Sequence, residues 1–181
     1  MNRNKISGLL LFIGIAQFLL LMLLSEVIYP GYSISHNYIS DLGVGKTALI
    51  FNSSIILLGV LLIASGALFT TSTVFRILII LTGIGAAGVG LFPETTGTPH
   101  LISALLAFLF SSLASFVTVR VSRTPLKYIY PILGGMGLVA LTLFILKDYL
   151  GLGPGGMERF IVYPNMLWAL GFANEIVEIQ S

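Results

Sequence analysis

The chain has 181 residues, of which 56% are hydrophobic and 9% charged, too few charges to cover the surface of a soluble domain of this size. Its formal charge of +2 comes from nine basic residues scattered along the chain, not from the clustered stripe that a phosphate backbone requires, so nucleic acid is excluded as a partner. With no Cys, disulfides, thiolate nucleophiles and sulfur-ligated metal centres are excluded as well.

A helix that crosses a bilayer needs roughly 17 to 25 mainly apolar residues. Six such stretches follow in chain order, at about 6–28, 48–69, 74–92, 99–119, 126–146 and 157–177, and they predict one all-α integral membrane bundle over residues 1–181. The first follows Arg3 and Lys5 as a secretory signal would, but its apolar run is too long and no small-residue cleavage site ends it, so it reads as a retained helix. The sixth is the most polar. It opens on Glu158 and Arg159 and contains Pro164, whose missing N–H and crowded ring predict a bend.

Basic residues in short loops stay cytoplasmic. An inside N-terminus puts Arg3, Lys5, Arg76, Arg120, Arg123 and Lys127 on the inner side and Lys46, Lys147 and Arg159 outside. Six against three predicts that both termini face the cytoplasm, in a plasma-membrane protein that spans six times.

In this topology three polar segments meet at the outer surface: "YSISHNYISDLG" (32–43), "FPETTGTPH" (92–100) and "GGMER" (155–159). Ionisable groups near a bilayer usually face the bundle interior and have partners, so Asp41, Glu94, His100, Glu158 and Arg159 are expected to converge there. Arg159 with Glu158, Asp41, Glu94 and Ser40 would bind a lipid head group or form an ion-pair lock, with Arg159 neutralising Asp41 or Glu94. Ser40 and Asp41 are also placed to cap the second helix. Small-residue spacing, Gly83 with Ala87, Ala86 with Gly90, and Gly134, Gly135 and Gly137, predicts close helix contacts within the bundle or with a partner subunit.

Two function classes follow. In the first, the protein has no catalytic role: it binds membrane lipids or serves as an accessory subunit among other membrane-protein subunits. In the second, it is a metal-dependent hydrolase of a lipid amide or ester. His100 with Glu94 or Asp41, and His36, would then hold zinc or another divalent metal, while Glu158 or Asp41 acts as general base. Small-solute transport ranks lower, because the ionisable residues lie near helix ends and only Gln17 and Ser103 are polar at mid-depth. Gln17 itself reads as an interhelical hydrogen-bond donor. "DLGVGKT" ends like a phosphate-binding loop, but Ser40 stands where that pattern needs Gly, so nucleotide binding is not expected.

The tract Pro30-Gly31-Tyr32, then Ile39-Ser40-Asp41-Leu42-Gly43, Phe92-Pro93-Glu94 with His100, and a Gly-rich turn into Glu158-Arg159 resembles the multi-span membrane family known as domain of unknown function 998. The resemblance covers essentially the whole chain. It implies a six-span bundle of the kind found in archaea and bacteria and carries no activity with it.

Overall fold

The computed structural model describes residues 2–178, and among them all regular structure is helical. The long helices are α1 (Arg3–Ile28), α2 (Ala48–Leu68), α3 (Thr73–Leu91), α4 (Thr98–Val121), α5 (Ile129–Ile145) and α6 (Gly153–Glu178). Helices α1 to α5 are long and apolar enough to cross a membrane, which makes this a multi-pass membrane protein. Their exposed faces carry Leu20, Leu49, Val60, Leu101 and Val139, the apolar surface that lipid tails cover.

Each helix packs on the next in sequence and α6 closes the ring on α1, with a further contact to α4. All the connections of one end, residues 29–47, 92–97 and 146–152, form what we term the loop end. The opposite, terminal end holds the start of α1 and the end of α6.

Helix α6 matches α1 in length at 26 residues but is too polar to qualify as a span by composition. It is nonetheless the better buried of the two, with 14 buried residues against 9 in α1. Its polar groups therefore find partners in protein. Asn165 donates through Nδ2 to Ser112 Oγ at 2.8 Å and accepts from Trp168 Nε1 at 3.0 Å. Glu175, near the terminal end, accepts from Ser122 Oγ at 2.8 Å, Arg123 N at 2.7 Å and Thr124 Oγ1 at 3.1 Å. That carboxylate caps the turn between α4 and α5, a role its position in the tail of α6 gave no hint of. Pro164 lies inside the continuous helix.

Small residues set the helix spacing. A Cβ on Gly59 would lie 2.5 Å from Gly83 O and from Ala87 N, and one on Gly90 would lie 2.7 Å from Asn52 O, so α2 and α3 touch backbone to backbone. Gly134 and Gly137 likewise abut Ser115 and Asn165, while Gly135 has only Phe116 nearby at 3.9 Å. All of these positions but Gly135 thus pack inside the chain. Gln17 joins α1 to α2, its Nε2 donating to Ser54 O at 2.9 Å.

Candidate functional site

At the loop end the segment joining α1 to α2 folds down onto the first turn of α6. Gly153 has φ +75, and a side chain there would strike Ser35 O; a Cβ on Gly155 would strike Asn37 O. Gly155 N in turn donates to Ser35 O at 3.1 Å. Glycine is required at both places because the loop backbone occupies the space a side chain would take.

Arg159, one turn further along α6, ties this loop down. Its Nη1 donates to Ile34 O at 3.1 Å, Asn37 O at 3.3 Å and Gly155 O at 2.9 Å, and its Nη2 to Tyr32 Oη at 2.6 Å. Tyr32 passes the chain on by donating to Tyr38 O at 3.0 Å, and burial pushes its phenol up to about 12, so it keeps its proton. The ionic partner of Arg159 is Glu26 on α1, at 2.5 Å, and theirs is the sole salt bridge among the described residues. The lock expected from the sequence therefore exists with a different acid: Arg159 does not pair with Asp41 or Glu94. Glu26 and Tyr32 were not singled out from the sequence. The available signal was an acid in the last turns of an apolar helix, which needs a buried partner.

Asp41 serves the loop itself. Its Oδ2 accepts from Asn37 Nδ2 at 2.9 Å and from Tyr38 N at 3.0 Å, closing the turn that leads into a short 3₁₀ helix, Ser40–Gly43. It does not cap α2, nor does Ser40; α2 starts after Thr47, whose hydroxyl donates to Leu42 O at 2.8 Å. Ser40 Oγ donates to Glu94 Oε2 at 3.3 Å, linking the first loop to the connection between α3 and α4.

Burial and the neighbouring Asp41 carboxyl push Glu94 from 4.5 up to about 7, against the smaller opposing effect of the Ser40 hydroxyl. A raised carboxyl pKa means the folded state holds the proton more tightly than the unfolded state. The stability this group contributes is full below pH 4.5 and is lost as pH rises through about 7. Thermal unfolding midpoints recorded across this window should fall with rising pH, and Glu94→Gln should flatten that slope; an unchanged slope in the variant would assign it to another group.

Glu158 is buried, with Oε2 accepting from Ile39 N at 2.5 Å. Its other oxygen, Oε1, has no hydrogen-bonding partner among the described residues. His100 is 5% exposed, and its Nδ1 lies 2.8 Å from Phe92 O. A carbonyl only accepts, so Nδ1 carries a proton, and in the neutral imidazole the lone pair is on Nε2, which has no hydrogen-bond partner among the described residues. His36 is exposed in the loop, its Nδ1 3.0 Å from Ser33 Oγ and 2.9 Å from Ser35 Oγ. Among the described residues no three His, Asp or Glu side chains gather as a metal would require, so His100, Glu94, Asp41 and His36 do not form a ligand set.

The five candidates thus divide. Asp41 and Glu94 adjoin one another, and Glu158 meets their loop through Ile39. Glu158 and His100 share a cavity, whereas Arg159 points away from it toward Glu26.

That cavity, of about 110 Å³, occupies the centre of the ring and is walled almost wholly by apolar side chains from α1, α2, α3, α4 and α6. Along α2 its wall runs from Phe51 to Leu62, which is ~16 Å at a rise of ~1.5 Å per residue. Ser40, His100 and Glu158 line its loop end, or mouth, Thr82, Ser111 and Asn165 add isolated polar groups further in, and Trp168 lies deep inside. No sequence pattern announced this cavity, since the same apolar residues would serve a solid core equally well. A family model described as "Protein of unknown function (DUF998)" matches residues 12–174. No curated protein and no solved structure matches the chain.

Proposed function

Because the chain belongs to the DUF998 family of proteins of unknown function, which brings no activity with it, we propose a function from the cavity: the protein binds a single-chain amphiphile. The apolar chain lies inside the helix ring, and the head sits at the mouth among Ser40, His100 and Glu158, on the extracytoplasmic side of the plasma membrane. The single supporting observation is the form of the cavity, long, narrow and mostly apolar, with its ionisable groups, His100 and Glu158, at one end only. Such a shape suits one alkyl chain and one head group. The loop strapped down by Arg159 forms part of the wall around that head, through Ile39 and Ser40.

Trp168 provides the readout, because it is the only tryptophan in the chain, is 1% exposed and lines the cavity. It stands ten residues beyond Glu158 on α6, hence ~15 Å deeper. With the protein in nanodiscs of zwitterionic lipid, dodecanol brominated on its terminal carbon should quench Trp168 emission strongly. Dodecanol brominated beside the hydroxyl should quench it weakly. Equal quenching by both, or by neither, would contradict a chain bound head-up in the cavity.

A further inference from the structure

We infer that the amphiphile carries a cationic head group, an aliphatic amine or quaternary ammonium; this rests on the chain-in-cavity reading above. The mouth is chemically one-sided. Glu158 and His100 are 6% and 5% exposed, line the cavity, and each keeps one atom, Oε1 and Nε2, without a hydrogen-bond partner among the described residues. Both of those atoms are acceptors when Glu158 is ionised and Nδ1 holds the imidazole proton. Behind them stand two more carboxyl groups, Glu94 and Asp41, the former bound to Ser40 at the rim.

Among the described residues no Lys or Arg lines this mouth. Arg159 is committed to Glu26, Tyr32 and three backbone carbonyls, and its guanidinium is not among the cavity's lining groups. Lys46 and Lys147, the lysines of the loop end, are exposed. A phosphate or carboxylate head would therefore meet lone pairs and like charge, and the one hydroxyl at the rim, that of Ser40, already donates to Glu94. An ammonium head meets an unpaired carboxylate oxygen and an imidazole lone pair. Burying a carboxylate away from water is costly without a partner of opposite charge, and a bound cation is that partner for Glu158.

The test compares three twelve-carbon probes brominated on the terminal carbon: a trimethylammonium, a carboxylate and an alcohol. Each is titrated into the protein in zwitterionic nanodiscs, read by Trp168 quenching and corrected for its measured partitioning into empty nanodiscs. The ammonium probe should reach half-quenching at about tenfold lower membrane concentration than the carboxylate, the order expected of a desolvated charge pair. Glu158→Gln should abolish most of that preference. Should this variant fail to fold, Glu94→Gln, which alters only the half-buried loop acid, should narrow the preference in part.

Equal or tighter binding of the carboxylate probe, with the alcohol still quenching, would overturn the cationic head while leaving the cavity reading intact. Preference retained in full by a folded Glu158→Gln protein would also overturn it. Failure of all three probes to quench would overturn both readings together.

Discussion

Arg159→Ala is expected to cost about 3–5 kcal/mol, the usual penalty for removing one partner of a buried ion pair. Glu26 would be left as an uncompensated carboxylate near the end of an apolar helix, and the carbonyls of Ile34 and Asn37 would lose their donor. Arg159→Lys should recover only part of the loss. A lysine keeps the charge but not the fork by which one guanidinium reaches Glu26, Tyr32 and the loop carbonyls together. Chemical unfolding in mixed micelles would measure both. A loss in Arg159→Ala within the range of an ordinary surface pair, under about 1 kcal/mol, would show that the loop is held by something else.

Gly155→Ala should act on the same loop from the backbone side. The new methyl group would strike Asn37 O and come within 2.5 Å of Ile34 O, and neither atom belongs to a flexible side chain that could swing clear. Either the loop lifts or α6 shifts, at a cost of about 1–3 kcal/mol or more. Lifting the loop would lengthen the Arg159 bonds to those same two carbonyls. Amide hydrogen exchange over residues 33–43 should accelerate, while exchange in α2 and α3 stays as in the parent protein. Unchanged exchange in the loop would mean that it is not seated on α6 as described.

Much of the architecture was legible because membrane helices depend on local composition. Long apolar runs and the polar breaks between them are visible one segment at a time, and α1 to α5 followed from them. Helix α6 was harder because its polar residues obey tertiary rules: Asn165, Glu158, Arg159 and Glu175 each bond residues between 45 and 133 positions away.

For the site, the sequence brought the three loop segments to one end but could not choose partners within them. Which acid meets Arg159 depends on how α1 is rotated against α6, and Glu26 lies 133 residues from Arg159. The sequence leaves Asp41 free to reach a site or to cap α2, whereas it folds back on Asn37 and Tyr38, a local alternative that Asp side chains often take. The cavity was illegible for a different reason. A void is a property of how five helices fail to fill the space between them, and residues such as Ala86 and Ala104 look the same in a wall and in a packed seam.

The claim on which the account depends is that the ring interior accommodates an apolar chain, and native mass spectrometry tests it most directly. The protein would be released from a neutral detergent whose own mass is known, beside Ala104→Phe, which puts a ring into the cavity wall. The account predicts that the parent protein retains a single extra mass from the membrane it was purified from, and that Ala104→Phe arrives bare while remaining folded. A parent protein that arrives bare, or a variant that keeps the same adduct in the same proportion, would contradict it.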